Sequence, residues 1–300
     1  MHKERVLITG ASGFIGTRLI QYLLSKDYAV VGLSRQANLV SRHPDMQWIA
    51  QLDELKRDQI DYVINLAGES IGKGRWTAAR KQQLIRSRVE TTENLYRYLE
   101  RRRITPKCII SGSAVGYYGV DTAEQWQNAC TEDSPPQHIF QSELCQQWEK
   151  AALQFPNQNT KIIRLGIVLS AKGGILPQML QPIRMNLAGR IGHGRQPVVW
   201  VHIRDVLRAI EFLMDKQSEA RIFNLTAPER ISQAIFSELA ARQLHKHPVL
   251  CLPAWVMKII LGEQSQLVLN GQYVKPQALS EAGFIFNFPT LKEALADLLS

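Results

Sequence analysis

The sequence predicts an α/β fold, in which a doubly wound parallel sheet is accompanied by a smaller, interleaved C-terminal substrate lobe. Three observations predict it. The chain opens on an apolar, β-branched strand that runs into a glycine turn and then into an amphipathic helix. Strands and helices alternate through the first half, as they do in βαβ units. After residue 165 this alternation gives way to glycine- and proline-rich stretches, which indicate a second lobe.

The sheet strands are expected, in chain order, at 6–9, 29–34, 47–50, 62–66, 107–111, 161–165 and 221–225. Helices are expected at 14–25, 53–58, 77–102, 139–155, 203–214, 232–244, 254–261 and 291–299. The strands are short β-branched runs bounded by turn residues, and the helices carry apolar residues three and four apart. We expect the sheet unit to cover 1–166 and to be rejoined by about 200–228, with 167–199 and 229–300 forming the substrate lobe.

Length and composition limit the chain to one large unit and a small one. With 300 residues and 45% apolar content, several independent domains are not expected. The first strand follows the opening Met almost at once, and the longest apolar run, 252–261, is broken by Pro253 and Lys258, so we expect neither a signal peptide nor a membrane span. The four cysteines lack metal-ligand spacing, which predicts reduced thiols in a cytoplasmic protein without a metal site.

The formal net charge of +9 fits an anionic cofactor or substrate, but it also fits nucleic acid. The dense basic cluster, Arg97 with 101–103, ends a long helical pattern, where cations complement the negative end of the helix dipole. No zinc finger, RNA-binding signature or aromatic–basic alternation accompanies it. We therefore expect a small-molecule substrate and no nucleic-acid partner.

The stretch from Val6 to Gly16 carries the strongest functional signal. A strand runs into G-x-x-G-x-x-G and then into a helix, the arrangement in which Rossmann folds bind a dinucleotide. Gly10 permits the tight turn, Gly13 lets a pyrophosphate approach the backbone, and Gly16 lets helix and strand pack closely. The phosphates would lie against the unpaired N–H groups at the positive end of the helix dipole.

Arg35 follows the second strand and predicts which dinucleotide is bound. An acidic residue at this position would accept hydrogen bonds from the ribose 2′-hydroxyl of NAD, whereas an arginine accommodates the 2′-phosphate of NADP. No Asp or Glu occurs nearby until Asp45. The sequence therefore favours NADP, and the alternative is an ordinary surface arginine at a strand end.

Two more motifs follow the fourth and fifth strands: Asn65-Leu-Ala-Gly68 and Ser111-Gly-Ser-Ala-Val-Gly-Tyr-Tyr-Gly119. With the glycine turn and the run Arg88-Val-Glu-Thr-Thr-Glu-Asn-Leu95, they resemble an extended short-chain dehydrogenase/reductase, the superfamily of nucleotide-sugar epimerases and dehydratases. The chain is most similar to an atypical branch of epimerase family proteins of unassigned substrate, in its Glu69, Arg75-Trp76, Trp148-Glu149 and Val199-Trp-Val-His-Ile-Arg-Asp205. The resemblance covers nearly the whole chain and implies a monomer or a homodimer.

The resemblance implies a set of cofactor contacts. The pyrophosphate would be held by Gly10, Ser12, Gly13, Phe14, Ile15 and Gly16. Arg35 would take the 2′-phosphate, and the segment after the fourth strand would contact the ribose side of the cofactor through Leu66, Ala67, Gly68 and Glu69. Ser113 would lie near the nicotinamide. All these positions follow carboxyl ends of strands, where ligands bind in such folds.

The superfamily's catalytic Y-x-x-x-K, expected on the helix after the fifth strand, is missing. There the lysine lowers the tyrosine pKa, and the tyrosine exchanges a proton with the substrate oxygen as hydride moves. The simplest alignment puts Phe140 and Leu144 at these two positions. The literal match Tyr22-Leu-Leu-Ser-Lys26 lies in the first helix, behind the glycine turn, and we expect it to be a coincidence.

Ser113, Tyr117 and Tyr118 are the candidates for catalytic residues. Ser113 would donate a hydrogen bond to a substrate carbonyl oxygen, and either tyrosine could protonate an oxyanion or simply form a wall of the site. Glu69 could act as a base, or bind Arg75 or a substrate hydroxyl. His202, with Asp205 three residues on, could face the substrate or pack in the interior.

Cations that could attract an anionic substrate lie at the start of the long helix and in a later loop. They are Arg75, Arg80, Lys81, Arg86, Arg88 and, beside the glycine-rich 189–194, Arg195. Two functions remain open: an NADP(H)-dependent oxidoreductase or epimerase-like enzyme on a small, anionic carbonyl or sugar-like substrate, and a non-catalytic NADP(H)-binding sensor or assembly protein. An RNA-associated Rossmann protein is a third and weaker alternative.

Overall fold

The structure is a computed structural model that describes residues 3–36, 39–55, 59–121, 123–124, 126 and 128–300. Its strands are β1 Arg5–Thr9, β2 Ala29–Leu33, β3 Met46–Ile49, β4 Tyr62–Asn65, β5 Cys108–Ala114, β6 Thr160–Leu165, β7 Ile167–Leu169, β8 Ala188–Ile191, β9 Trp200–His202, β10 Ile222–Leu225 and β11 Leu250–Leu252. Its helices are α1 Phe14–Ser25, α2 Ala78–Arg101, α3 Phe140–Leu153, α4 Leu176–Arg184, α5 Ile203–Asp215, α6 Gln233–Gln243, α7 Ala254–Leu261, α8 Gln266–Leu269, α9 Gln277–Glu281 and α10 Leu291–Leu299.

Seven of these strands form one parallel sheet in the order β10-β6-β5-β4-β1-β2-β3. The order reverses direction between β1 and β4, as in a doubly wound Rossmann sheet. The register aligns the carboxyl ends: Thr9 lies opposite Leu33 and Asn65, and Asn65 lies opposite Ser111. The predicted fold class is confirmed.

Side chains of successive strand residues point to opposite faces of this sheet, and each face is covered by helices. Val6 and Ile8 of β1 pack with α1 and α5 on one face. Leu7, between them, packs on the other face with Leu95 and Leu99 of α2. Because both faces are covered, the central residues of β1 and β4 are consecutive apolar residues rather than alternating with polar ones.

A second core lies beside the sheet and contains residues from two segments of the sequence, 169–200 and 227–298. Leu169 and Trp200 pack there against Phe236 of α6 and Leu295 of α10. Two small parallel pairs, β7 with β9 and β8 with β11, accompany it. The expected boundaries of the substrate lobe stay a prediction, and within 229–300 Leu279 and Phe284 pack in the first core.

Most predicted elements are found within a few residues of their expected bounds, and the differences are confined to short pieces. The helix expected at 53–58 is reduced to a single 3₁₀ turn at Leu52–Glu54, and 56–58 lie outside the described residues. Strands β7, β8, β9 and β11 and helices α4, α8 and α9 were not predicted. They have nine residues or fewer, which is too short to show a period.

The apolar helix predicted at 254–261 is α7, which forms part of the surface. None of its residues is fully buried, and Trp255, Ile259 and Ile260 are more than half exposed. In the described part of the chain, no helix combines the length and the apolarity needed to cross a membrane.

Candidate functional site

The carboxyl ends of β1, β2, β4 and β5 bring the predicted site segments to one edge of the sheet. Gly10 follows Thr9 directly, and Arg35 comes two residues after Leu33. Leu66 follows Asn65, and Ser113 lies two residues beyond Ser111. The aligned register therefore places all four predicted segments side by side, at the point where the strand order reverses.

The glycine turn has the geometry of a phosphate-binding loop. Gly10 adopts a positive φ of 65°, and a Cβ there would lie 2.7 Å from the carbonyl oxygen of Leu66. A Cβ on Gly16 would lie 2.4 Å from the carbonyl oxygen of Gly10. Gly13 is the exposed N-cap of α1 and leaves the first N–H groups without a side-chain cap. These N–H groups fit a pyrophosphate.

The other residues of this turn have different surroundings. The Ser12 hydroxyl lies 2.7 Å from the Ser34 hydroxyl, which ties the turn to the end of β2. The Phe14 ring faces the 173–174 loop, because a Cβ on Gly174 would lie 2.8 Å from it. Ile15 packs partly buried against the first core. Ser12 is therefore held by the end of β2, whereas Phe14 and Ile15 pack against other parts of the protein.

Arg35 is exposed at the end of β2, next to the glycine turn. Within the described residues, no hydrogen bond or salt bridge involves its guanidinium. An arginine at this position has its full set of donors available for a phosphate. An exposed guanidinium at this strand end fits a phosphate, and the binding of a 2′-phosphate by Arg35 stays a prediction.

A buried polar network forms the floor of the site. Thr9 donates to Asn65 Oδ1 at 2.7 Å, and Asn65 Nδ2 donates to Thr92 Oγ1 at 2.8 Å and to Ser111 Oγ at 3.1 Å. The Trp148 indole donates to Thr92 Oγ1 at 3.2 Å. Because each of these buried groups has a partner, the network fixes β1, β4, β5, α2 and α3 relative to one another.

Glu69 is held by the protein. Its carboxylate forms a salt bridge with Arg80 and accepts a hydrogen bond from Gln83 Nε2 at 2.9 Å. The Arg80 guanidinium lowers the pKa of Glu69, so the carboxylate is a weak base. The pairing with Arg75 that the sequence left open does not occur, because Arg75 donates to the carbonyls of Ile259 and Ile260.

Ser113 and Tyr118 belong to a second buried network. Ser113 Oγ donates to Glu149 Oε1 at 2.6 Å, and Arg164 binds both Glu149 oxygens at 2.8 Å. The Tyr118 hydroxyl accepts from Arg164 at 2.8 Å and donates to Asn224 Oδ1 at 2.7 Å. Burial raises the pKa of Tyr118 to about 12. Tyr118 is fully buried, and its proton already has an acceptor.

Tyr117 is the more accessible of the two tyrosines. It is half-buried, and its ring covers the Arg164 guanidinium at 3.4 Å from ring centroid to Cζ. No hydrogen bond involves its hydroxyl among the described residues. Of the three predicted catalytic residues, only Tyr117 combines an accessible side chain with an uncommitted hydroxyl proton.

The residues of α3 that face the end of β5 each lie one position later in the sequence than expected. Phe140 and Leu144 pack in an apolar cluster with Trp76 and Leu84. Gln141 and Cys145 instead face the strand end, where a Cβ on Gly116 would lie 3.7 Å from Gln141 Cβ and 3.8 Å from Cys145 Sγ. The alignment that put Phe140 and Leu144 at the tyrosine and lysine positions is therefore wrong.

An amide and a thiol thus occupy the two positions facing Ser113. Burial raises the pKa of the Cys145 thiol to about 11, so it stays neutral and cannot act as the missing ammonium. Gln141 is almost fully buried, and in the described structure its Oε1 has no hydrogen-bond partner. A buried acceptor without a partner fits a ligand that donates a hydroxyl, such as a ribose.

The remaining candidates are placed away from this edge or have partners in the protein. His202 is buried, accepts from the Arg204 N–H at the start of α5 and lies against Phe288, so it packs in the interior. Tyr22 of the coincidental Tyr22-x-x-x-Lys26 donates to Glu211 of α5. Lys81 pairs with Glu263, and Arg195 pairs with Glu124.

Three residues of this site were not given a role from the sequence: Glu149, Arg164 and Gln141. A signal existed for Arg164, since an arginine interrupts the apolar run of a central strand and requires a buried partner. Arg88 was expected only as one of several cations that could attract an anionic substrate, and nothing in the sequence marked it as the buried one.

Comparisons with known proteins agree with this geometry. The sequence profile of the NAD-dependent epimerase/dehydratase family matches residues 6–226, and a domain of unknown function, DUF1731, matches 252–298. An epimerase family protein of Staphylococcus saprophyticus is 36% identical over 304 residues, with 99% of each chain covered.

Two solved structures are similar in fold. The human epimerase family protein (isoform 2), in a crystal structure with NADPH, is 30% identical with a TM-score of 0.88, covering 98% of this chain and 99% of that one. A nucleoside-diphosphate sugar epimerase from Corynebacterium glutamicum is 25% identical with a TM-score of 0.76, covering 99% of this chain and 58% of that one. The chain belongs to the NAD-dependent epimerase/dehydratase family.

Proposed function

We propose that the protein is an NADP(H)-dependent oxidoreductase or epimerase-like enzyme that acts on a small carbonyl or sugar-like substrate. One observation carries the proposal: the glycine turn, the exposed Arg35 and Ser113 lie along one edge of the sheet. The similar human protein was crystallised with NADPH, which supports the same choice of cofactor here. When bound, the nicotinamide would supply or accept the hydride.

Side chains of the protein would orient the substrate and donate to its oxygen. Because Ser113 gives its proton to Glu149, it presents lone pairs and would orient a substrate hydroxyl. A donor to a substrate oxygen must then come from another group, and the Tyr117 hydroxyl is the available one at this face. The anionic character of the substrate stays a prediction, and Arg75, Arg80 and Lys81 do not support it because they are bound within the protein.

A second function is favoured by a specific observation. Gln141 and Cys145 provide neither a phenol nor an ammonium where the superfamily has both. A protein that has lost this pair could retain the cofactor site as an NADP(H)-binding sensor or assembly protein. The two functions predict the same affinity for NADPH and differ only in turnover.

Stereospecific transfer of the C4 hydride distinguishes them. NADPH deuterated on one face of C4 would be incubated with a panel of aldehydes, ketones and keto-sugars, and deuterium in the products would be measured by mass spectrometry. The enzyme proposal expects deuterium from one face only, with at least one carbonyl class. Tight NADPH binding without transfer to any of them would support the sensor instead.

We also propose a cytoplasmic location and a monomeric or homodimeric state. All four cysteines are free, and Cys108 and Cys145 are buried as thiols, which fits a reducing compartment. Sedimentation equilibrium of the purified chain tests the oligomeric state directly.

A further inference from the structure

Arg88 of α2 is a cation buried within the protein. The residue is 9% exposed, and in the described structure no carboxylate forms a salt bridge with its guanidinium. The guanidinium donates to three neutral oxygens: the carbonyl of Glu69 at 2.8 Å, the carbonyl of Leu84 at 3.1 Å and the Ser87 hydroxyl at 3.4 Å. A buried charge is normally paired, so an unpaired one is a candidate for a functional role.

This cation lies directly behind the segment expected to contact the cofactor. A Cβ on Gly68 would lie 3.2 Å from Arg88 Cζ, so the guanidinium touches the backbone of the 66–69 segment. On its other side it lies 5.2 Å from the Trp148 ring of α3, which also carries Cys145. Arg88 is therefore enclosed between the ribose-contact segment and the α3 face that meets Ser113.

The charges around Arg88 do not cancel it. Glu69 is the nearest acidic group on the neighbouring segment, and its carboxylate is already neutralised by Arg80. Burial lowers the pKa of Arg88, with a smaller lowering from Arg80, yet an arginine remains charged at neutral pH. Arg88 thus contributes a permanent positive charge directly behind the 66–69 segment.

We propose that Arg88 selects the oxidation state of the cofactor, so that the site binds NADPH more tightly than NADP⁺. The two forms have the same phosphates and riboses, and they differ in the nicotinamide ring, which is positively charged when oxidised and neutral when reduced. A buried guanidinium repels only the oxidised ring, and the low polarity of its surroundings strengthens that repulsion. The inference rests on the proposed function, because it assumes that the nicotinamide lies at this edge.

The test compares affinities for NADPH and NADP⁺, measured by isothermal titration calorimetry without any substrate. We expect the wild-type protein to bind NADPH at least about tenfold more tightly, which corresponds to about 30 mV in the potential of the bound two-electron couple. Arg88→Met should bring the two affinities within about twofold of each other, mainly by strengthening the binding of NADP⁺. Arg88→Lys, which keeps the charge, should retain the preference.

Arg97→Met is the matched control, since Arg97 lies on the same helix but is exposed and paired with Glu93. This variant should leave both affinities unchanged.

Equal wild-type affinities for NADPH and NADP⁺ would overturn the inference. An Arg88→Met variant that binds both forms equally more weakly would overturn it too, because Arg88 would then serve the phosphates. Should Arg88→Met not fold, Arg88→Gln replaces it, because the amide can still donate to the carbonyls. If the wild type binds neither form, the proposed function fails as well; if it binds both equally, only the inference fails.

Discussion

At the scale of single residues, the proposed choice of NADP(H) rests on Arg35. It projects from the end of β2 with no partner among the described residues, so its charge is available for a phosphate. Its identity and position were both evident from the sequence, because a strand end followed by an arginine is a local pattern.

We expect Arg35→Ala to weaken NADPH binding by roughly 10- to 100-fold and to change NADH binding by less than about twofold. The lost interaction is a hydrogen bond between charged groups, of about 1.5–3 kcal/mol, and NADH has no 2′-phosphate to make it. Fluorescence titration with the two reduced cofactors measures both values. Arg242→Ala, an exposed arginine on α6, serves as control; equal losses for NADPH and NADH would remove Arg35 from this role.

Ser113 is the residue whose expected chemistry the structure changes most. The sequence predicts a donor to a substrate oxygen, whereas the observed hydroxyl gives its proton to Glu149. Only the tertiary structure could reveal this, since the two residues are far apart in sequence and meet through the packing of α3 on β5.

Ser113→Ala should lower hydride transfer at least about tenfold while leaving NADPH affinity within about twofold. Glu149 remains bound to Arg164 through both oxygens in this variant, so we expect little loss of stability, on the order of 1 kcal/mol. Single-turnover rates and cofactor titration separate the two effects. An unchanged rate would show that Ser113 serves only as a wall of the site.

At the scale of elements, local sequence predicts helices well but not the face that each helix presents. The bounds of α3 were expected within a few residues, yet the pair facing Ser113 is Gln141 and Cys145 rather than Phe140 and Leu144. A shift of one residue rotates a helix face by about 100°. The angle at which α3 packs on β5 and α2 decides this, and no pattern within the helix encodes it.

Helix α5 begins at a buried histidine, which makes part of the stability depend on pH. His202 caps the first turn by accepting from the Arg204 N–H at 3.1 Å, and its Nε2 lies 3.3 Å from an Asp297 oxygen. Burial lowers the pKa of His202 below its usual value, despite the opposing carboxylates of Asp297 and Asp205. The folded state therefore takes up this proton less readily than the unfolded chain.

The contribution of His202 to the free energy of unfolding should accordingly be fully present above pH about 6.5. It should fall as the pH drops from there through the lowered pKa of the folded state. One proton contributes at most about 1.4 kcal/mol per pH unit. We expect His202→Asn, which keeps an N-cap acceptor without a titrating ring, to show a flatter dependence over this range. Urea denaturation from pH 5 to pH 8 measures it, and identical slopes for both proteins would contradict the assignment.

At the scale of the whole molecule, Asp205 joins the two cores. Its fully buried carboxylate accepts from the backbone N–H groups of Asn287 and Phe288, both at 2.9 Å, and from Arg208 at 3.0 Å. These backbone groups immediately precede α10 of the second core, while Asp205 itself lies in α5 of the first. One side chain thus fixes the position of the last helix.

Asp205→Ala should lower the free energy of unfolding by about 2–4 kcal/mol, because it leaves two backbone donors without their acceptor and removes the salt bridge of Arg208. Guanidinium chloride denaturation followed by circular dichroism measures the loss. Asp133→Ala, at an exposed position, should change the value by less than about 0.5 kcal/mol. A loss for Asp205→Ala no larger than that of this control would show that the link is unimportant.

The sequence alone determined the parallel sheet, the glycine turn and the position of an arginine at the end of the second strand. Each of these depends on consecutive residues, through side-chain period, turn chemistry or a strand end. The tertiary structure alone decided that Glu149 takes the Ser113 proton, that Gln141 and Cys145 face the strand end and that Arg88 is buried behind Gly68. These arrangements depend on how helices rotate and approach the sheet, which is fixed by packing between segments distant in sequence.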